Sequence, residues 1–328
     1  MIYIYSSNLK DLHNPNFVYQ IEGRSPQKYP EVGKRLDINY KKTWNSNIDF
    51  IEIVEIKPNA SKLIMKTIDY DYWMWLNEKI MWLKQNSFDI YLDEEKLFIK
   101  DQITPVTMDL KQILEYVISM VMEAIEQVVE NNERRIYVAC RPPGHHASKS
   151  YGGGFCYLNN VGIAIEYLMS KVDKYNKICV LDLDLHIGNG TIDYLKDMLE
   201  IQYFSLHLNP CLCYPFFTKE KIDELKLRNN ICLYQFEKGI TEQIYLQMIE
   251  KILNDVESYS PDILFISMGY DTYKYDPCYG CGLNVNTYKK ISKNISSRFD
   301  IPIIIFHEGG YEIGSCEEML NSFVCGII

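Results

Sequence analysis

The chain has no basic excess. Its 34 Lys and Arg stand against 44 Asp and Glu, for a formal net charge of −10 and a pI near 5.2. Contacts to a phosphate backbone need a basic surface, so nucleic acid is not an expected partner. An acidic field draws cations such as amines or Lys-rich peptides, although a merely solvated acidic surface carries the same charge. No apolar run reaches the length of a membrane span, and the richest, around Tyr116–Met122, is closed by Glu123. The N-terminus has no basic segment leading into a long apolar one, so neither a signal peptide nor a membrane is expected, and the expected location is cytoplasmic. Repeats, low-complexity tracts and Pro/Gly/Ser-rich linkers are missing too, which leaves one continuous domain over residues 1–328 as the simplest organisation. The ten cysteines form no regular framework. Cys140, Cys179 and Cys232 sit in apolar strands and read as small buried hydrophobes. Cys278-Tyr-Gly-Cys281 is a lone CxxC without the second pair that a zinc finger needs. Reduced thiols fit an intracellular protein.

What is present is a generous core, with 47% hydrophobic residues. Apolar strand candidates recur at Ile136–Ala139, Ile178–Leu181, Ile201–Leu206, Ile263–Ser267 and Ile303–Phe306. Between them lie helical patterns. Ile113, Leu114, Val117, Val121, Ala124, Ile125 and Val128 follow helical spacing, as do Ile244, Ile249, Ile252, Leu253 and Val256. Strands alternating with helices predict an α/β fold with a parallel sheet covered on both faces.

The polar motifs fall where those strands end. Arg141–His146 follows the first, Asp182–His186 ends the second and Ser205–His207 the third. Asp271 follows the fourth and Glu308–Tyr311 the fifth. Sites in open α/β sheets form outside the carboxyl ends of strands, so the five ends point to one crevice. Five of the six histidines lie there as well: His145, His146, His186, His207 and His307. Only His13 lies elsewhere.

Asp182-Leu-Asp184-Leu-His186 is the most telling stretch. Alternate strand residues share a side, so Asp184 and His186 can converge on one divalent metal, and His nitrogen with Asp oxygen suits zinc. Asp271 is the natural third ligand. Three protein ligands leave a position for water and a substrate oxygen, and the metal acidifies the one and polarises the other. Each Asp taken alone equally well caps a turn. The tandem His145-His146 follows Pro-Pro-Gly on a turn with little freedom, and one of the pair can act as a general base. Tyr311, after two glycines, can donate a hydrogen bond to a developing oxyanion. A packed tyrosine beside a Gly-Gly turn is the plain alternative in a chain with 26 tyrosines.

Arg141-Pro-Pro-Gly-His-His-Ala147, Gly153-Gly-Phe-Cys-Tyr-Leu-Asn-Asn160, Asp182–Gly190, Ser205-Leu-His207, Ser267–Asp271 and Glu308–Tyr311 resemble, in that order, the zinc-dependent histone deacetylase and acetylpolyamine amidohydrolase families of the arginase/deacetylase superfamily. Pro30-Glu31 followed by Arg35 is a weaker match. The resemblance implies a single α/β domain with a central, mostly parallel sheet of about eight strands flanked by helices. It implies one zinc per chain on Asp184, His186 and Asp271. His146 matches the general base, His145 its electrostatic partner, and Tyr311 the oxyanion donor. Asp182 matches the carboxylate that orients His145, and Asn189 stands where the family orients His146. Gly154, Phe155 and Tyr214 match the walls of a narrow acyl-amine tunnel. Asp182, Asp184, His186, Ser205 and Leu206 match a structural potassium site.

Two positions depart from the pattern. Ile187 replaces a usual second histidine that is not a zinc ligand, which bears on packing and rate rather than on metal. Gly188 stands where arginases carry a further metal-binding Asp, which points away from a binuclear centre. The segment Asp271-Thr-Tyr-Lys-Tyr-Asp-Pro277 is more similar to acetylpolyamine amidohydrolases than to class I histone deacetylases. Hydrolysis of an acetylated polyamine is therefore the leading expectation. A protein acyl-lysine is the alternative substrate, and an inactive binding module is a third reading whose one support is Ile187. Asp69, Asp101 and Asp109 are candidates for negative charge at a tunnel rim. The resemblance also implies a homodimer, and Trp73, Trp75 and Trp82 are expected in the core rather than at its interface.

Overall fold

The computed structural model describes residues 1–19, 25–36 and 47–328. Its central sheet contains β1 (Ile2–Tyr5), β2 (Asp49–Glu52), β3 (Arg135–Val138), β4 (Ile178–Asp182), β5 (Ile201–Leu208), β6 (Ile231–Phe236), β7 (Ile263–Met268) and β8 (Ile303–His307), numbered within the sheet. Their order is β6-β5-β4-β7-β8-β3-β1-β2. Every pairing is parallel. Two short antiparallel ribbons, Val18–Tyr19 with Gln27–Lys28 and Ile90–Tyr91 with Val106–Thr107, lie outside it.

Sequence explains the layering. All residues of β4, β7 and β8 are buried. Continuous apolar runs of this kind mark parallel strands covered by helices on both faces. Edge strand β2 carries Asp49 and Glu52 and is largely exposed, a charged edge that discourages further pairing. The described helices are α1 (Ala60–Thr67), α2 (Tyr70–Asn86), α3 (Leu110–Glu130), α4 (Asn160–Lys171), α5 (Asn189–Tyr194), α6 (Lys219–Lys226), α7 (Glu242–Tyr259), α8 (Val285–Arg298) and α9 (Cys316–Ile327). The predicted apolar stripe of α3 is buried in full. In α7 the stripe holds from Ile249 to Val256, but Ile244 is exposed and Tyr245 takes the inner position. The Asn159 side chain caps α4 by accepting the Gly162 N–H at 2.8 Å, which fixes the helix directly after the 153–158 loop.

The strand order creates the crevice. From β4 the chain moves one way to β5 and β6, then crosses back to place β7 on the other side of β4. The carboxyl ends of β4 and β7 therefore flank a topological switch point, where open α/β sheets place their ligands. β8 and β3 follow in the row, so the loops bearing Glu308–Tyr311 and Arg141–His146 open onto the same end.

Some expectations need correction. Trp73 and Trp75 are buried in α2, but Trp82 is 41% exposed and stacks on Phe88 with ring centroids 5.3 Å apart. Cys140 and Cys179 are buried as expected, while Cys232 is half-buried near the sheet edge. No helix among the described residues is long and apolar enough to cross a membrane.

Candidate active site

β4 ends at Asp182, so Asp184 and His186 lie on the bend after it and not on the strand. Their convergence therefore does not come from strand alternation. Two stacked turns produce it. Asp182 Oδ1 accepts the N–H of Asp184 at 3.1 Å, and Asp184 Oδ1 accepts the N–H of His186 at 2.9 Å. Each short carboxylate captures the amide two residues on, and the chain curls until the side chains face β7. Turn-capping and metal-binding geometry are thus properties of the same residues.

From β7's side, Asp271 completes the group. Its Oδ1 accepts the Leu185 N–H at 3.0 Å, and Asp184 Oδ2 accepts the Gly309 N–H at 2.8 Å. Those bonds leave Asp271 Oδ2 at 2.9 Å and Asp184 Oδ1 at 3.3 Å from His186 Nδ1. One ligand atom from each of the three buried residues lies within 4.8 Å of the others. Among the described residues this is the one His/Cys/Asp/Glu group so arranged. Burial and the charge of Asp184 push the Asp271 carboxyl up to about 6. Two buried carboxylates facing one another are costly unless a cation sits between them, and two oxygens with one imidazole nitrogen match a zinc ligand set.

The tandem histidines differ in environment. His145 Nδ1 lies 3.2 Å from Asp182 Oδ2 and its Nε2 3.6 Å from Asp184 Oδ1. Burial opposes its charge, but Asp184 and Asp182 outweigh burial and push its pKa up to about 10. His146 Nδ1 sits 2.6 Å from Asn189 Oδ1, at the first turn of α5. An amide oxygen only accepts, so His146 carries its proton on Nδ1 and its Nε2 is left as a base. Burial, then the charges of His145 and His186, hold the His146 pKa well below the usual histidine range. One imidazole is therefore favoured charged and its neighbour neutral, the division that separates electrostatic and basic roles.

A cavity of about 340 Å³ leads to these groups, and His145, His146, Asp184, His186, Asp271, Gly154, Phe155, Tyr214 and Tyr311 line it. The His146 and Tyr214 rings meet edge-on at 4.7 Å, and those of Phe155 and Tyr311 at 5.4 Å. Gly154 is required here: its φ is +55°, and a Cβ would come within 2.3 Å of the His146 ring. Tyr311 is braced from behind, with its N–H on Asp276 Oδ2 at 2.6 Å and the Arg35 guanidinium 4.6 Å from its ring centroid. Arg35 in turn pairs with Glu31 at 2.9 Å and donates to the Gly310 carbonyl at 2.8 Å, which gives the weak N-terminal motif a structural purpose.

Residues 4–327 match the model of the histone deacetylase domain. The chain belongs to that family. It is 32% identical over 206 residues to an acetylpolyamine amidohydrolase of Burkholderia pseudomallei, covering 62% of this chain and 59% of that protein. It is 33% identical over 229 residues to type-2 histone deacetylase 2 of Dictyostelium discoideum, covering 63% of this chain but 13% of the relative. The chain thus spans about three fifths of the length of the amidohydrolase it matches. In fold it superposes on the crystal structure of an acetylpolyamine aminohydrolase from Burkholderia pseudomallei with a TM-score of 0.85, at 24% identity, over 100% of this chain and 98% of that one. The HDA15 HD domain follows at a TM-score of 0.80 and 17% identity, over 99% and 87%. The parallel sheet of eight strands is the arginase/deacetylase fold expected from the motifs.

Not every strand-end residue reaches the crevice. Residues 205–207 lie inside β5, which runs on to Leu208. His207 is buried with its Nδ1 2.8 Å from the Ser205 hydroxyl, and His307 with its Nδ1 2.8 Å from the Tyr137 hydroxyl. Neither lines the cavity. Ser205 is paired in register with Asp182 across β4 and β5, so these two of the residues matched to a potassium site are neighbours. Of the three rim candidates only Asp101 lines the cavity, and it accepts the N–H of Gly154 at 2.6 Å and of Ile103 at 2.9 Å. Asp109 instead holds the N–H of His13 at 2.9 Å, and Asp69 sits at the start of α2. Ile187 is fully buried in the main core. A Cβ on Gly188 would come within 2.3 Å of Asp182 Oδ2, so the arginase-type Asp has no room. Sequence reasoning assigned no role to Asp276, whose only signal was its place in the Asp271–Pro277 segment.

Proposed function

We propose that this chain is a zinc-dependent amidohydrolase that removes acetyl groups from amines, with acetylpolyamines as the leading substrates. One observation carries the reading: Asp184, His186 and Asp271 converge in the wall of a cavity that His146 and Tyr311 also line. Zinc held by those three residues would supply Lewis acidity to a water molecule and to the amide carbonyl. The chain's own groups do the rest. His146 Nε2 takes the proton of the attacking water. Tyr311 donates a hydrogen bond to the carbonyl oxygen as it gains charge. His146 then passes its proton to the amine nitrogen as the C–N bond breaks, releasing acetate and a free amine. Asn189 keeps the His146 proton on Nδ1, and Asp182 orients His145, the electrostatic partner of that base. Gly154, Phe155 and Tyr214 flank the alkyl chain and exclude water from it. A structural potassium among Asp182, Asp184, His186, Ser205 and Leu206, a homodimer, a cytoplasmic location and one catalytic domain over residues 1–328 belong to the same proposal.

Turnover of N-acetylputrescine and acetylspermidine by the zinc-reconstituted protein, measured beside an acetyl-lysine peptide, tests it. A higher kcat/KM for the small amines is expected. A preference for the peptide would reassign the chain to protein lysine deacylation, and no turnover of either with zinc bound would reject the hydrolase.

A further inference from the structure

Glu308 opens the Glu308-Gly-Gly-Tyr311 segment but does not line the cavity. Its side chain is wholly buried. Oε2 accepts two adjacent backbone amides, Gly144 N–H at 2.7 Å and His145 N–H at 3.1 Å. Oε1 accepts the Ser267 hydroxyl at 3.2 Å. The Glu308 N–H donates to the Met268 carbonyl at 2.9 Å, and its carbonyl accepts from Arg35. Successive amides aimed at one point form an anion-binding nest, and here the anion is the protein's own side chain. Burial pushes the Glu308 carboxyl up to about 7, against the pull of His145 and the Gly144 amide.

We propose that Glu308 is a positioning residue that sets the separation between His146 and Tyr311. The inference rests on the hydrolase reading above. Gly144 and His145 are the two residues before His146, so holding their amides fixes the turn that aims its ring. The far side of that turn is held by the Thr191 N–H on the His145 carbonyl at 3.0 Å. One residue beyond Glu308, Gly309 holds Asp184, and two further on stands Tyr311. Base, metal ligand and oxyanion donor are therefore all referenced to one four-residue segment, and Glu308 is its link to the base. An apolar residue could fill the space but would leave two buried amides without an acceptor.

Three variants test this: Glu308→Leu, Glu308→Asp and Glu308→Gln. Leu removes the acceptors, Asp withdraws them by one methylene, and Gln keeps an oxygen for the nest. Misplacing a catalytic group by about 1 Å costs about 100-fold, so the Leu variant is expected to lose about that in kcat. Its KM should stay within about 3-fold and its zinc content at one per chain, because transition-state geometry rather than ground-state binding is lost. The Asp variant should lose at least about 10-fold and the Gln variant less than about 5-fold in kcat by the same reasoning. Hydrogen exchange of amides 144–146 should accelerate in the Leu and Asp variants and not in Gln. Unchanged exchange at 144–146, or a kcat within about 3-fold of wild type for both Leu and Asp, would overturn the assignment. Should the Leu variant not fold, the Asp variant decides. Should wild type hydrolyse no acetylated amine, the hydrolase reading fails by itself, and the exchange measurement still decides whether Glu308 holds the turn.

Discussion

At the scale of single residues, the site separates two jobs by environment. Burial holds the Tyr311 pKa well above the usual range, so its phenol keeps its proton and is able to donate a hydrogen bond. Tyr311→Phe keeps the ring between Phe155 and Arg35 and removes that donor. The expected result is a loss in kcat of about 100-fold or more with zinc content unchanged, read by steady-state kinetics beside metal analysis. An inert binding module would show no such dependence. Asn189 makes a second prediction. The base must be neutral to take a proton, and burial with two neighbouring imidazoles already keeps His146 low. Asn189→Asp places a carboxylate 2.6 Å or so from Nδ1 and favours the imidazolium. The pKa of His146 rises, so the fall of kcat/KM on the acid side begins at a higher pH than in wild type. An acid limb that stays in place would remove His146 from the role of base.

At the scale of elements, the loops after the strands carry the specificity of the fold. Gly154→Ala pushes a methyl into the His146 ring at a position of φ +55°. A drop in kcat of about 100-fold is expected, the usual result of displacing a base by about 1 Å, and a variant as active as wild type would contradict the packing described. Ile187 behaves as an element of the core. Ile187→Ala should lower stability by about 2–5 kcal/mol in denaturant unfolding, the range for truncating a buried Ile, while zinc stoichiometry stays the same. The strands themselves were easy to read, because β4, β7 and β8 are buried on both faces and must be apolar throughout. The bends were harder. Strand alternation predicts that Asp184 and His186 converge, but the strand stops at Asp182 and two carboxylate-capped turns bring them together instead. His207 and His307 shared the strand-end position but point into the sheet's own packing, toward Ser205 and Tyr137. Residue spacing does not reveal which face of a strand end meets the crevice.

At the scale of the whole molecule, the crevice exists because the chain reverses direction between β6 and β7 and returns to the far side of β4. That crossover brings residues 184–186, 271 and 308–311 together across long stretches of sequence. Contacts of this range explain what the sequence hid. Asp276, Glu308 and Asp101 accept backbone amides 35, 164 and 53 positions away, and no local pattern marks which amide a carboxylate will meet at such range. Motif order carried the family and the fold instead. The same long-range convergence ties metal to stability. Zinc present at about 100 times its Kd should raise stability by about 2.7 kcal/mol, so chelation should lower Tm and zinc should restore it. The measurement that bears most directly on the account is a zinc titration of the metal-free protein, with acetate release from an acetylated amine followed in wild type and in Asp271→Asn. The account predicts activity that rises to a plateau at one zinc per chain in wild type and stays near background in the variant. Acetate release without zinc, or full activity in Asp271→Asn, would contradict it.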